Sequence, residues 1–185
     1  MSTAQFVRPA RSGDVERIVD LQVASWQALY GPLLPEEVSA EMASPEARAN
    51  FTEQWKAALG SPPTSKHRLV VATDEVDGVR TVTGFAALGP AGDPDLWPAT
   101  DAEVFALHVD PERTRQGHGS RLVNACVDHV AEDGFTTVHV WVAEQDNPLR
   151  SFFESAGWRA DGARREIDLG PLLPMVRLHA GVPAV

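Results

Sequence analysis

The sequence predicts a mixed α/β fold in a single domain, taken as residues 1–185. Three features predict it. Glu103 to Val109 is a stretch apolar on both faces, as central strands are. A glycine-bearing turn and a helical pattern follow it, and then a further strand, Thr137 to Val142. Strand, turn, helix, strand over that distance is a crossover unit, which lays the two strands side by side and roughly parallel. A chain of 185 residues is long enough for a sizeable core and still falls within one domain.

In chain order, Phe6 to Ala10 reads as a short edge strand, because Pro9 removes a ladder donor. Asp14 sits where a helix N-cap is wanted, and a first helix is expected to Leu29. Its apolar residues Val15, Ile18, Val19, Val23 and Trp26 recur at helical spacing, while Glu16, Arg17, Asp20 and Gln22 fill the other face. Tyr30 to Pro35 breaks the pattern with a glycine and two prolines. Weaker helical signals follow over Glu36–Met42 and Pro45–Leu59. After the Ser61–Ser65 loop, Leu69–Ala72 and Val82–Leu88 flank a turn at Asp77-Gly78, a hairpin signal. Gly89–Thr100 is a loop with three prolines and two glycines. Beyond the central strand, a helix is expected from Ser120 to about Ala131, with Leu122, Val123, Cys126, Val127 and Val130 inward. Pro148–Ala156 makes a short helix closed by Gly157, and stretches near Ile167 and Met175–Leu178 are candidates to pair.

Composition excludes several classes. The net charge is -10 and the pI about 5.0, which repels phosphate backbones and anionic lipid, so neither nucleic acid nor membrane is an expected partner. Met1–Ser12 lacks a signal-peptide core and no apolar run is long enough to cross a bilayer, so a cytoplasmic protein is expected. The single cysteine, Cys126, cannot form an internal disulfide and reads as a small core residue. His108, His118, His129 and His139 show no metal-ligand company, so no metal is assigned.

The chemistry is expected between the central strand and the helix after it. Arg115-Gln116-Gly117-His118-Gly119-Ser120 stands where bare backbone N–H groups and a positive helix end can hold a diphosphate, with glycines letting the backbone come close. No Gly-Lys-Ser/Thr follows, so it is not a Walker loop, and Leu122 fills the third glycine place of a dinucleotide fingerprint. Taken alone, Gly-x-Gly equally suits a turn that uses glycine for its geometry.

The surroundings carry a resemblance. Glu103 to Pro111 resembles the fourth strand of the GNAT (GCN5-related N-acetyltransferase) superfamily, and Thr114-Arg115-Gln116-Gly117-His118-Gly119 its Gln/Arg-x-x-Gly-x-Gly/Ala loop, with Thr114 in place of Gln or Arg. Asp146 to Trp158 is similar to the family's later motif, with Phe153 in its tyrosine place, and Ser25–Gly31 with Leu34-Pro35 to the first helices of many bacterial members. The resemblance implies a twisted, mostly antiparallel mixed sheet flanked by helices and splayed between its fourth and fifth strands. It implies acetyl-CoA as cosubstrate, with pantetheine bonded to the strand backbone at Leu107, His108 and Val109. The pyrophosphate would lie on Thr114 to Ser120, and Asn147 and Phe153 would add cofactor contacts. It also favours Trp26 and Tyr30 as lining for the acceptor, a primary amine on a small molecule or peptide, and leaves a homodimer open.

An amine of lysine type has a pKa of about 10.4, so exposing its lone pair at neutral pH costs about 4 kcal/mol, and a base helps directly or through water. Glu103 falls where some members of the resembling family carry that base; the competing reading is an exposed strand-end carboxylate. The Leu107 N–H would, by the family match, stabilise the thioester oxygen. Phe153 has no hydroxyl for the leaving thiolate, which leaves water, Tyr30 or His108 as substitutes, or no acid at all. Asp93, Asp95, Asp101 and Glu103 form an acidic approach if they converge, and otherwise a solvated loop. The alternative to an enzyme is an acyl-CoA-binding regulatory module with impaired catalysis, motivated by Thr114 and Phe153.

Overall fold

The structure, a computed structural model, describes residues 6–76, 78–145 and 147–183. Met1–Gln5 of the opening stretch, Asp77 of the expected hairpin turn and Asp146 of the later motif lie outside the described residues. Strands β1 (Phe6–Pro9), β2 (Arg68–Val76), β3 (Val79–Pro90), β4 (Asp101–Val109), β5 (Thr137–Ala143), β6 (Arg159–Asp168) and β7 (Leu172–Gly181) alternate with helices α1 (Val15–Tyr30), α2 (Glu36–Glu41), α3 (Pro45–Gly60), α4 (His118–Glu132) and α5 (Pro148–Ser155). The sheet order is β1-β2-β3-β4-β5-β7-β6. β1–β2, β2–β3, β5–β7 and β6–β7 are antiparallel, whereas β4–β5 is parallel, as the crossover unit requires. The mixed α/β expectation therefore holds. The tail strands do pair with each other, and β7 also pairs with β5 along the whole length of β5, a contact that chain-local patterns do not indicate.

The described residues group into two compact units, one within Met1–Leu88 and Ala106–Cys126, the other within Gly89–Phe105 and Val127–Val185. Strand β4 supplies residues to both.

In the first unit, Val15, Ile18, Val19 and Leu21 of α1 pack with Trp55 of α3 and with Leu69, Val71, Phe85 and Ala87 of β2 and β3. Trp55 meets the Phe85 ring edge-on at 5.2 Å, and burying each such side chain contributes about 1.5–3 kcal/mol. Gln22, expected on the solvent face, is buried, because its Oε1 accepts the Trp55 indole N–H at 2.6 Å. Asp14 stands at the N-cap of α1, as expected, and also ends a short 3-10 turn, Ser12–Asp14, but its side chain makes no capping bond to the helix. There its carboxylate accepts the Arg11 backbone N–H at 2.7 Å and pairs with Arg8 at 2.7 Å. Helix α3 opens on Ser44, whose Oγ accepts the Ala47 N–H. Helix α4 begins at His118, two residues before the expected Ser120.

In the second unit, Ala102, Val104, Val138, Val140, Val142, Val176 and Leu178 are buried on their strands, and Phe153 of α5 lies 4.8 Å from Trp158. The other face of the same strands is polar. The β4–β5 register runs from Asp101↔Thr137 to Val104↔Val140, so Phe105–Val109 continues β4 past that paired stretch.

A Cβ on Gly84 would meet the His108 carbonyl oxygen at 2.8 Å and Leu122 Cδ1 at 3.1 Å, and backbone has little room to give. Gly84→Ala should therefore cost about 1–3 kcal/mol, read as a lower urea midpoint. His108 is enclosed, with Nδ1 2.9 Å from Ser25 Oγ, and burial pushes its pKa down from 6.5 to about 4. The unfolded chain thus takes up a proton that the folded chain refuses. The contribution is intact above 6.5 and is lost as pH falls towards 4, by about 3 kcal/mol in all. His108→Gln should flatten the decline in urea midpoint between about pH 7 and about pH 4.5 by a matching amount.

Candidate active site

The loop between β4 and α4 belongs to the first unit. Asp110 starts it: its backbone N–H donates to the Thr83 carbonyl at 2.9 Å, and its Oδ2 accepts Arg17 Nη2 at 2.6 Å. The other oxygen, Oδ1, accepts the Glu112 N–H at 3.1 Å and so caps the short turn Pro111–Arg113. The chain then crosses the left-handed region twice, at Arg115 with φ 60° and Gly117 with φ 82°. Arg115 carries a side chain through a conformation that favours glycine, at a cost of about 1–3 kcal/mol. Thr114, Arg115, Gln116 and Gly117 are exposed, and the first turn of α4, His118, Gly119 and Ser120, presents N–H groups with no helical carbonyl before them. Such a chain reversal into a helix start is an anion cradle.

The side chain beneath the cradle is His118, which has no exposed surface. Its Nδ1 lies 3.1 Å from Thr83 Oγ1 and 2.6 Å from Arg121 Nη2, which can only donate, so Nδ1 is the acceptor and the proton sits on Nε2. Nε2 faces Asp74 Oδ2 at 3.6 Å. Burial, then the neighbouring Arg121 charge, holds the His118 pKa below its ordinary value, so the ring is neutral at pH 7. His118 thus acts on the loop from below through its ring. Arg121 also closes on the loop, with Nη1 3.3 Å from where a Gly117 Cβ would stand. Sequence reasoning misses Arg121 and Asp74; the one signal for Arg121 is a cation one helical turn after Gly117.

On the second half of β4, Leu107 and His108 are buried and Val109 is half-buried. His108 turns its ring to Ser25 and Phe85, so only its backbone is available to a ligand, and with a pKa near 4 it is a neutral imidazole with no proton to deliver as an acid at pH 7. Trp26 and Tyr30 meet edge-on at 5.5 Å on α1, and Tyr30 is nearly enclosed, with its pKa raised by burial.

In the second unit, Glu103 is 8% exposed, which removes the reading of a solvated strand-end carboxylate. Burial raises its pKa above the usual carboxylate value, the Asp93 charge adds to this, and Arg165, the Gly92 backbone and Arg177 oppose it. The four acids named from the sequence do not form an open acidic approach. Arg177, itself nearly buried, donates to Asp93 and Asp95 at 2.9 Å each and to Asp161 at 2.7 Å. Asp95 is drawn down to about 2 by its Arg177 bond. His139 Nε2 lies 2.9 Å from Asp101 Oδ1, and the Trp141 indole N–H donates to Asp93 at 2.9 Å. Sequence reasoning misses Arg177 because a lone cation in the apolar run Met175–Leu178 reads as an outward-facing strand residue.

Asn147 is buried, and its Oδ1 caps α5 by accepting the Leu149 N–H at 2.9 Å. Phe153 is fully buried between Phe152 and Trp158, so packing is its observed role. Trp97 is 70% exposed. Cys126 is buried and its thiol is pushed up to about 12 by that burial. Among the described residues, no helix is long and apolar enough to cross a membrane and no cluster of His, Cys, Asp or Glu is arranged to hold a metal ion.

Comparison with known proteins places this geometry in a family. The model of the Acetyltransferase (GNAT) family matches residues 18–158. An uncharacterized N-acetyltransferase of Bacillus subtilis (strain 168), YuaI, is 30% identical over 149 residues, covering 80% of this chain and 77% of YuaI. A mycothiol acetyltransferase of Clavibacter sepedonicus is 38% identical over 58 residues, 31% of this chain and 19% of that protein. Among solved structures, the PaiA N-acetyltransferase of Thermoplasma acidophilum in complex with coenzyme A superposes with a TM-score of 0.69 at 17% identity, covering 96% of this chain and 99% of PaiA. YncA of Salmonella typhimurium with acetyl-CoA gives 0.65 at 17% identity, covering 98% and 95%. The family model spans β4, the Thr114–Ser120 loop and α5 together, and the chain belongs to the GNAT acetyltransferase family.

Proposed function

We propose that the protein transfers an acetyl group from acetyl-CoA to a primary amine on a small molecule or peptide, by direct attack within a ternary complex. The observation that carries this reading is the Thr114–Ser120 loop. Its exposed backbone, two left-handed residues and bare α4 N–H groups are chemistry suited to a diphosphate. Thr114 lacks the family's longer side chain, but the backbone donors remain, and Arg115 and Arg121 supply positive charge on either side.

When bound, acetyl-CoA supplies the electrophilic thioester carbon and the thiolate leaving group. The β4 backbone from Leu107 to Val109 positions the pantetheine, and the Leu107 N–H donates to the thioester oxygen as negative charge develops there. Glu103 takes the proton of the attacking amine, directly or through a water, and its raised pKa makes it a stronger base than an exposed carboxylate. With Phe153 lacking a hydroxyl and His108 neutral, the departing thiolate takes its proton from water or from Tyr30. Cys126, held as a thiol in the core, supports transfer without a covalent enzyme intermediate.

Glu103→Gln should lower kcat by about 10²- to 10⁴-fold and leave the calorimetric affinity for acetyl-CoA unchanged. The same substitution should raise the unfolding midpoint at neutral pH. The folded-state pKa lies above the ordinary 4.5, so the buried carboxylate favours folding only while protonated, and loses that contribution as pH rises through the folded value. An unchanged kcat removes Glu103 from the mechanism. Gly117→Ala places a side chain at φ 82° against Arg121 and should weaken acetyl-CoA binding by about tenfold, or about 1.4 kcal/mol, in the same titration. Undiminished affinity would show that the loop does not hold the donor.

A further inference from the structure

The most heavily charged part of the second unit surrounds Glu103, and it is built rather than scattered. Asp101 and Glu103 on β4 share a sheet face with His139 and Trp141 on β5, and with Arg177 and His179 on β7, as the registers Glu103↔His139, His139↔His179 and Trp141↔Arg177 require. The loop before β4 folds onto this face. Its Ala91 N–H donates to the Asp101 carbonyl at 2.9 Å. Asp93, in the same loop, is fastened twice through one oxygen, Oδ2. The Trp141 indole N–H donates to it at 2.9 Å, and so does Arg177 Nη1 at 2.9 Å.

Each fastener is itself fixed. Arg177 is clamped by Asp161 and Asp95 and lies 5.5 Å from the Trp141 ring centroid. Arg165 covers the same ring at 4.2 Å, with Nη1 3.9 Å from Asp93 Oδ1. A carboxylate with two charge- or dipole-directed donors on one oxygen has little freedom to turn away. Asp93 is therefore held on the sheet face that carries Glu103, although like charges left free would separate.

We propose that Asp93 is a positioning residue for the reaction. Locked by Trp141 and Arg177, it keeps a second negative charge on the sheet face that carries Glu103, which governs when Glu103 accepts the amine proton. This rests on Glu103 being the base. The groups facing Glu103 are Asp93 from the loop, Asp101 on its own strand, His139 on β5, Arg165 on β6 and Arg177 on β7. Of these, Asp93 is the group that raises the proton affinity of Glu103, second only to burial, while Arg165 and Arg177 lower it.

The sign of the effect is fixed. Glu103 must be ionised to act as a base, so kcat/KM rises with pH through its pKa. Asp93→Asn keeps an oxygen for Trp141 and Arg177 but removes the charge, so the acid limb of the kcat/KM profile should move to lower pH, by about half to one pH unit. Arg165→Gln removes a partly exposed cation from beside Asp93, so the limb should move to higher pH. Carboxyl-carbon NMR of Glu103 in the full-length protein should titrate with the same two displacements, and acetyl-CoA affinity should be unchanged in both variants. A folded Asp93→Asn protein with both the acid limb and the Glu103 titration unmoved overturns the proposal. If Asp93→Asn does not fold, Arg165→Gln decides: a limb and a titration that fail to rise show that the charge beside Glu103 does not govern it. Retained turnover in Glu103→Gln alongside a displaced Glu103 titration in Asp93→Asn would instead fault the base assignment, with Asp93 still controlling the carboxyl.

Discussion

The parallel pairing of β4 with β5 is the constraint on which the rest of the structure depends. Two parallel neighbours need a crossover, here the Asp110–Gly117 turn followed by α4, so the turn falls at the C-terminal end of β4 and feeds directly into a helix start. A strand end that runs past its β5 register and a helix beginning with N–H groups that no helical carbonyl precedes are thereby supplied by adjacent segments. The same pairing lasts for only part of β4, from Asp101 to Val104, leaving Leu107 to Val109 beyond the register. Beyond β5 the chain crosses over once more, through α5 to β6, leaving between them the place that β7 fills antiparallel to both.

Within the two units, polar burial is handled in different ways. In the first, His118, Thr83, Asp74 and Arg121 form a buried polar cluster under the Thr114–Ser120 loop, where the closest contact is Arg121 Nη2 to His118 Nδ1 at 2.6 Å. In the second, Arg177 is shared by three carboxylates. Desolvating Arg177 is costly, and its bonds to the largely enclosed Asp93 and Asp161, with the exposed Asp95 completing the set, offset that cost. What the network provides is placement: it ties the proline-rich segment before β4 to β5, β6 and β7 of its own unit, on the sheet face that carries Glu103. A carboxylate whose pKa is raised by burial and a neighbouring acid is destabilising at neutral pH.

Much of this is legible in the order of the residues, and the reason is local. Periodicity gives α1, α4 and the hairpin because apolar spacing is a property of consecutive residues; each lies within a few positions of where that spacing puts it. The Gly117-His118-Gly119 loop is readable because left-handed backbone and close approach demand glycine, and Glu103 stands out as a carboxylate heading an otherwise apolar strand. Chain-local reasoning misassigns Gln22, whose amide is taken by Trp55 in preference to water, and although it places Asp14 at the start of α1, it does not show that the carboxylate bonds Arg8 and Arg11 there.

The sequence by itself determined the mixed α/β class, the parallel strand pair and the position of the glycine-bearing turn that leads into α4, because each is written in residue type and spacing over a few dozen positions. Only the tertiary structure decided what those residues meet. It inserted β7 between β5 and β6, turned the His108 ring inward to Ser25, buried Phe153 against Trp158, and gathered Asp93, Asp95 and Asp161 onto Arg177. The physical reason is that desolvation and charge pairing depend on distance in space: residues 93 and 177 are 84 positions apart in the chain, yet their side chains lie 2.9 Å apart in the fold.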